Sequence, residues 1–351
     1  MALIYDIVTA PNLSGYWDAR QSNVDTAVSE KLFPAKKQLG LKLGFVKGAS
    51  GKPVVLRAAA FDTKVTLRER IGVELNEEEM PFFKEAMLVK EADRQQLNLV
   101  AQTGNQTLID TLTNGIFNDQ MTLLSGAHAR LEAMRLQVLA TGKIAINSNG
   151  NFKDIDYGLD AEKQKGAVKK TAKWSDKAKS NPLADIEETI TKMEAEGHKP
   201  EVLYMNSATY ANMKGAEVVT KTIKPLAPAG VSVTKAEFEN FISDNYGLKI
   251  HVFNQTYKNE AGEVVKYFPD GVVTFAPNTA LGYTVFGTTP EESDLLGGNA
   301  AGVQVNIVDT GIAVTTKKLD DPVNVETKVS MIALPSFEQL DEIYLLDVEP
   351  A

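Results

Sequence analysis

The sequence contains no cysteine, and this absence removes several classes of protein. A chain without thiols forms no disulfide bonds, has no cysteine nucleophile and holds no cysteine-ligated zinc. Histidine is scarce as well, and its three residues, His128, His198 and His251, are far apart in the chain. Because no second histidine is near His128, we interpret it as a half-buried or interface side chain rather than a metal ligand.

Long apolar runs and an excess of basic residues are also missing. The chain has no run of 18 apolar residues that would form a transmembrane helix, and its first residues lack the basic and apolar segments of a signal peptide. Its formal net charge is −9, whereas nucleic-acid-binding domains are usually basic. We therefore expect neither membrane insertion nor sequence-specific DNA binding. The acidic balance suits the wall of a container that must not adhere to packed nucleic acid.

The sequence contains few of the residue patterns that are typical of active sites. Gly48–Lys52 is similar to a phosphate-binding loop but lacks the first glycine of that motif, so we interpret it as a turn. The paired carboxylates Asp154 and Asp156 are typical of a solvated turn. A metal-dependent hydrolase that uses these two carboxylates and a histidine remains an alternative interpretation.

The most informative pattern that is present is an alternation of apolar and polar residues from Val65 to Leu75. Apolar side chains fall at positions 65, 67, 71, 73 and 75, which is the period of a strand with one buried face. The opposite face carries charged side chains, among them Arg68 and Arg70. A β arm of this kind, extending from Val54, needs a partner surface. The pattern therefore predicts a protein that fits against copies of itself.

A long helical pattern follows the β arm. A first helix is predicted from Phe83 to Thr103, and a second from Thr107 to Thr141, ended by a glycine cap at Gly142. At roughly 1.5 Å per residue the second helix would be about 50 Å long. Its apolar residues recur at steps of three, four and seven, which predicts one buried face. They are Leu112, Ile116, Leu123, Ala127, Leu131, Met134 and Val138.

The other segments predict a mixture of helices and strands. No period persists over residues 12–22, and a short helix is predicted over residues 23–32. After the long helix, a hairpin is predicted over residues 143–158 and a polar, lysine-rich connection over residues 160–180. Residues 182–297 alternate helices and strands, which indicates a compact α/β insertion. Within it, strands are predicted at residues 202–205, 250–253, 266–268 and 272–275, and closing strands after it at residues 303–308, 312–316, 323–334 and 343–348.

The order of these elements and four stretches of sequence resemble a known family. The stretches are Pro53–Arg70, the long helix, the turn from Lys266 to Asp270 before a strand, and the tail from Ser330 to Val348. In these features the chain is similar to the major capsid proteins of tailed phages, specifically the family of the phage lambda major head protein, with the Hong Kong 97 capsid fold. The similarity extends over nearly the whole chain.

The resemblance implies an α+β fold with an N-terminal arm, an extended β loop, a peripheral domain built on the long spine helix, and an α/β axial domain. The implied domains are the arm (1–50), the extended loop (51–80), the peripheral domain (81–181, with the spine helix at about 107–141), the axial domain (182–297) and a return to the peripheral domain (298–351). Residues assigned to contacts between subunits are Arg57, Lys64, Val65, Leu67, Arg68 and Arg70 in the extended loop. Those assigned to spine-helix packing are Leu112, Ile116, Leu123, Leu131, Met134 and Val138, and an axial-domain loop carries Glu291, Glu292 and Asp294, interpreted as polar rather than metal-binding.

The function that the resemblance implies is structural. Hexamers and pentamers of the chain would form an icosahedral shell around double-stranded phage DNA, with no enzymatic activity and no cofactor. Because the sequence starts directly at the arm, a separate scaffolding protein is expected, and a portal and a decoration protein are further expected partners. Assembly is expected in the bacterial host cytoplasm, and the assembled protein in the virion. The alternatives are an encapsulin-type compartment of the same fold and the metal-dependent hydrolase.

Overall fold

The computed structural model divides into two compact units, each formed from segments that are distant in sequence. Unit 1 comprises residues 1–44, 76–135 and 282–336, and unit 2 comprises residues 45–75, 136–281 and 337–351. The structure describes residues 4–19, 27–46, 75–89, 91–103, 105–148, 151–168, 172–226, 228, 231–298, 303–320 and 323–350.

Helices and strands are numbered in chain order. The helices are α1 (Ile4–Ile7), α2 (Ala10–Asp18), α3 (Ala27–Leu32), α4 (Glu91–Thr103), α5 (Gln106–Thr141), α6 (Pro182–Glu196), α7 (Ser207–Gly215), α8 (Glu217–Ile223), α9 (Lys235–Tyr246) and α10 (Pro290–Leu296). The strands are β1 (Ala35–Lys37), β2 (Lys42–Val46), β3 (Leu75–Glu79), β4 (Phe82–Leu88), β5 (Lys143–Ser148), β6 (Asn151–Asp156), β7 (Lys165–Ala167), β8 (Val202–Asn206), β9 (Lys249–Phe253), β10 (Thr256–Lys258), β11 (Val264–Lys266), β12 (Val272–Ala276), β13 (Thr284–Phe286), β14 (Val303–Val308), β15 (Ile312–Asp320), β16 (Val323–Pro335) and β17 (Tyr344–Asp347).

The sheet of unit 1 has six strands, with the long strand β16 inside it. β15 pairs with one edge of β16, and β14 follows β15 in antiparallel order. On the other edge of β16, β4 pairs with residues 326–332 and β13 pairs with residues 333–335. β1 then joins β13 in parallel. The sheet therefore unites segments from the beginning and the end of the chain.

Helix α2 packs on β14 and β15 of this sheet. Thr9 caps its first turn, with the hydroxyl oxygen accepting a hydrogen bond from a backbone N–H, and Pro11 lies in that turn. Leu13 and Trp17, four residues apart, are buried on the same face. The prediction that residues 12–22 have no regular structure is therefore wrong for residues 12–18, which lie in α2. It did not take into account the cap at Thr9 and the proline at position 11, which favour the start of a helix.

Strand β4 corrects the prediction of a helix from Phe83 to Thr103. Residues 82–88 are extended and pair antiparallel with residues 326–332 of β16, and the helix starts only at Glu91. The hydrogen-bonded partner lies more than 200 residues away in sequence, so a local helical pattern was overruled by tertiary pairing. Only the second half of the predicted helix exists, as α4.

The spine helix α5 confirms the prediction of a helix over residues 107–141 to within one residue. It ends at Gly142, whose φ of +68° lies in the left-handed region that glycine adopts most easily. A Cβ atom at this position would collide with the side chain of Leu159. The chain passes from unit 1 to unit 2 within this helix, after Arg135. The predicted hairpin follows at once, as β5 and β6.

Unit 2 contains a five-stranded mixed sheet in the order β7-β17-β12-β8-β9. β8 and β9 are parallel, as are β7 and β17, and the other neighbours are antiparallel. The core beside the sheet includes Trp174, Leu203, Phe238, Phe275 and Tyr344. The four predicted strands of the insertion are confirmed to within two residues, and the one predicted at residues 266–268 lies at 264–266. Helices α6, α7 and α9 begin at side-chain caps from Asn181, Asn206 and Thr234.

The predicted polar connection over residues 160–180 is also corrected. It contributes strand β7, which pairs in parallel with β17. Trp174 within it is fully buried, and its indole N–H donates a 2.9 Å hydrogen bond to the carboxylate of Asp185. The surrounding lysines led to the prediction of a solvated connection, although this segment belongs to the core of unit 2. A pattern of charged residues does not show that one large side chain among them is buried.

Candidate assembly surfaces

The buried side of α5 contains most of the predicted packing residues. Ile116, Leu123, Leu131, Met134 and Val138 are at most 6% exposed, whereas Leu112 is half-buried. From Leu131 to Leu136 every residue is buried. A helix that is buried on all sides is typical of the interior of a large domain. This segment is therefore held by its surroundings on every face.

Helix α2 lies against the middle of α5 through aromatic side chains. The ring of Trp17 stacks on His128 with centroids 4.9 Å apart, and Tyr16 meets Phe117 edge-on at 5.2 Å. The hydroxyl of Tyr16 donates a 2.7 Å hydrogen bond to Asn118. These contacts fix the N-terminal helix on the spine helix within unit 1.

His128 is half-buried, and its Nε2 atom lies 3.0 Å from a carboxylate oxygen of Asp309. Asp309 lies in the turn between β14 and β15 and has a φ of +51°, which is unusual for a residue other than glycine. Glu132 is one helical turn from His128, but it accepts a hydrogen bond from Ser29 instead. His128 is therefore in contact with packed side chains and with one carboxylate, that of Asp309.

A buried ionic cluster joins α5 to α3 and β13. Arg135 donates from Nε to the hydroxyl of Thr284 at 2.8 Å, and its Nη1 atom lies 3.7 Å from Glu30 and 3.8 Å from Glu132. Burial lowers the pKa of Arg135, and the two carboxylates oppose that shift. An arginine remains charged in such a setting, so the nearby carboxylates offset the cost of its desolvation. The sequence gives no local signal of this cluster, because its members are spread over more than 250 residues.

The acidic residues 291–294 lie in helix α10, not in a loop, and the helix belongs to unit 1 rather than to the unit that holds residues 182–281. Thr289 caps the helix and Pro290 opens it, which explains why these residues are helical. Asp294 is exposed. The structure corrects the prediction of an axial-domain loop at these positions.

Both glutamates of α10 are held by lysines. Glu291 forms an ion pair with Lys328 and accepts a 2.9 Å hydrogen bond from Ser330, and Glu292 forms an ion pair with Lys37. Burial alone would raise the pKa of Glu291, but the hydrogen bonds from Lys328, from its own backbone and from Ser330 outweigh it and lower the pKa. These carboxylates tie α10 to the sheet of unit 1.

The predicted contact residues of the extended loop, Arg57, Lys64, Val65, Leu67, Arg68 and Arg70, lie outside the described residues, as does most of the predicted β arm. β2 precedes this part of the chain and β3 follows it, and the two strands pair with each other in a two-stranded sheet. The two ends of the segment that separates them are therefore held side by side.

Both carboxylates of the alternative hydrolase, Asp154 and Asp156, lie in unit 2. Asp156 pairs with Lys143 at 2.7 Å, a hydrogen bond that lowers the pKa of the aspartate, and Asp154 is exposed. His128 lies in unit 1, whereas His198 and His251 lie in unit 2. Within the part of the chain that the structure describes, no group of three or more acidic, histidine or cysteine side chains is placed to hold a metal ion. No described helix is both long and apolar enough to cross a bilayer.

Comparison with solved structures shows the fold. The chain matches the putative capsid protein of a prophage of E. coli CFT073 with a TM-score of 0.60 and 14% identity, over 97% of this chain and 99% of that one. It matches a phage-related protein from Bordetella bronchiseptica RB50 with a TM-score of 0.53 and 14% identity, over 97% of both chains. The capsid asymmetric unit of cyanophage A-1(L) gives a TM-score of 0.52 and 13% identity, over 93% and 94%. These matches confirm the predicted capsid fold.

Comparison with protein families identifies the chain more directly. No curated protein sequence matches it. The family model of phage major capsid protein E, however, matches residues 9–348, which include nearly all of both units. The resemblance to tailed-phage major capsid proteins, drawn from the order of elements, is therefore confirmed. The chain belongs to the phage major capsid protein E family and is a capsid component that assembles from many copies of itself.

Proposed function

We propose that this chain is the repeating subunit of an icosahedral phage head, arranged in hexamers and pentamers around a double-stranded DNA genome. The observation that carries the proposal is the family match over residues 9–348. The role is structural rather than enzymatic. Assembly takes place in the cytoplasm of the bacterial host, and the product is the virion head.

In the proposed arrangement, residues 1–50 form an arm and residues 51–80 an extended loop that contacts neighbouring subunits. The peripheral domain is built on α5, and the axial domain starts near Pro182. We place the end of the axial domain near Leu281 rather than at residue 297, because residues 282–336 cluster with the first part of α5 in unit 1. Residues 282–336 then return to the peripheral domain, whereas residues 337–351 cluster with unit 2.

The proposed relation to the genome is enclosure without specific binding. A net charge of −9 per subunit repels packed DNA, so filling of the shell relies on a motor and not on attraction by the wall. A separate scaffolding protein, a portal and a decoration protein are the proposed partners. Salt-sensitive binding of DNA by purified subunits would contradict this part of the proposal.

The decisive experiment is expression of the chain alone and together with the scaffolding protein of its phage, followed by size-exclusion chromatography and negative-stain electron microscopy. Closed shells of uniform diameter are expected. A chain that stays monomeric under both conditions would overturn the proposal. Particles that enclose a host enzyme instead of DNA would favour the compartment alternative, and metal-dependent hydrolysis by the monomer would favour the enzyme.

A further inference from the structure

A cavity of about 330 Å³ opens in unit 1 between the end of β4, the start of α4 and the middle of α5. One part of its wall is apolar and the other part is polar and acidic. The apolar part consists of Met87, Leu88, Val89 and Ile116, and the polar part of Asp93, Asp119, Gln120 and Thr122. None of these described lining residues carries a positive charge.

Gln120 is an unusual member of this wall. Its side chain is only 2% exposed, yet its Oε1 atom finds no hydrogen-bond donor among the described residues. A buried amide oxygen without a donor is costly, so native structures nearly always supply one. A hydrogen-bond donor that enters the cavity from outside the described residues would remove that cost.

The two carboxylates define the charge of the missing group. Asp93 is half-buried and Asp119 is exposed, and neither forms an ion pair with a described residue. The group that fits the wall therefore carries a positive charge, N–H donors and an aliphatic stem. Lysine and arginine side chains combine these three properties.

We propose that this cavity receives a lysine or arginine side chain from a second copy of this chain. The inference rests on the proposed shell function. A second copy is favoured over a free small cation because Leu88, which lines the cavity, is 45% exposed and a neighbouring protein surface would cover it. The chain also carries 37 basic residues, so a second copy offers side chains of the required charge to this acidic wall. Arginine anchors in desolvated pockets are frequent at the centre of protein interfaces.

The first test compares a double variant, Asp93→Asn with Asp119→Asn, with the matched control Asp244→Asn. Asp244 is an exposed carboxylate on α9 in unit 2. The double variant should remain folded by circular dichroism and raise the subunit concentration needed for assembly at least about tenfold, as expected when one partner of an interfacial charge pair is removed. The control should assemble like the unaltered chain. Gln120→Leu should weaken assembly in the same direction.

The second test identifies the donor by charge reversal. Asp119→Lys should block assembly, and each of the 37 basic residues is then changed singly to Glu in that background. Restored assembly at one position supports the proposal and names the donor. No restoration at any position overturns it.

A small probe separates the protein partner from a free cation. Propylguanidinium should bind the unaltered subunit, as seen by NMR, and should inhibit assembly. If it binds while assembly is unaffected and the double variant assembles normally, the cavity is a small-cation site and the proposal is wrong. If the unaltered chain forms no particles at all, both the proposed shell function and this contact between copies are wrong.

Discussion

The indole ring of Trp17 lies on the imidazole ring of His128, with the two planes 21° from parallel. One ring belongs to the N-terminal helix α2 and the other to the spine helix α5. At the edge of the imidazole ring, the Nε2 atom lies 3.0 Å from the carboxylate of Asp309. His128 therefore joins three segments of unit 1, which agrees with its interpretation from the sequence as a half-buried structural side chain.

We expect His128→Ala to lower the free energy of unfolding by about 0.5–1.5 kcal/mol, because the substitution removes an aromatic pair. His128→Phe keeps the stacked ring and should recover most of this loss. Urea denaturation of both variants measures the difference. If His128→Ala abolished function while fold and shell survived, the purely structural account of this residue would be wrong.

Leu131→Ala should destabilise the subunit by roughly 2–5 kcal/mol, since Leu131 is 2% exposed and the truncation leaves a cavity in the core. Shells should be fewer and malformed. Leu108→Ala on the same helix is the matched control, because Leu108 is 49% exposed and its truncation should change stability by less than about 0.5 kcal/mol. Thermal melts and particle counts measure both effects, and equal effects at the two positions would contradict the buried packing of α5.

Arg135→Met should be more damaging than its size suggests. The change leaves Glu132, which is 4% exposed, without its cationic neighbour, and breaking a buried pair in this way costs about 3–5 kcal/mol. The double variant Arg135→Met with Glu132→Met removes both charges and should regain part of the loss. Chemical denaturation of the two single variants and the double variant gives the coupling energy, and simple additivity would show that the two side chains do not interact.

Glu291 gives the subunit a dependence on pH. Its pKa is lower in the folded chain than the usual value of about 4.3, so its carboxylate stabilises the fold above that pH. This contribution is lost as the pH falls through the folded pKa, in the range below about pH 4. Glu291→Gln should therefore reduce stability by about 1 kcal/mol at pH 7 and converge with the unaltered chain in acid.

Melting temperatures from pH 3 to pH 7 measure this convergence. Asp294→Asn is the control, because Asp294 is an exposed carboxylate of the same helix. A constant difference between Glu291→Gln and the unaltered chain across the whole range would show that the effect is not one of ionisation.

The segment between β2 and β3 should be needed for assembly and not for folding. Its apolar face, Val65, Leu67, Ile71 and Val73, is too large for a two-stranded arm to bury by itself. Deletion of residues 52–72 should leave a folded, unassembled subunit, because β2 and β3 already lie side by side. A glycine-serine replacement of equal length is the control for the length of the loop, and it should fail to assemble as well. Normal shells from either variant would contradict the prediction.

The parts of the fold that were predictable are those whose information is local. The spine helix has a recurring apolar pattern and ends at Gly142, and helices α6, α7 and α9 begin at Asn or Thr caps that are visible in the sequence. The alternation of helices and strands over residues 182–297 likewise indicated a compact α/β insertion. These features do not depend on distant partners.

The parts that were not predictable depend on distant partners. Residues 82–88 are a strand only because β16 offers them an edge, and Trp174 is buried only because Asp185 and the unit 2 core surround it. The ion pairs of Glu291 and Glu292 also reach lysines far away in sequence. The cavity beside Gln120 gave no sequence signal, because its walls come from β4, α4 and α5 together.

The positions of β16 and β17 have a consequence for biosynthesis. β16 lies inside the sheet of unit 1, and β17 lies between β7 and β12 in the sheet of unit 2. β16 starts at residue 323 and β17 at residue 344, so neither sheet can be completed until residues 323–347 have left the ribosome. A nascent chain that has not yet exposed these residues therefore displays neither finished unit. The late emergence of β16 and β17 delays assembly with other copies until both sheets are complete.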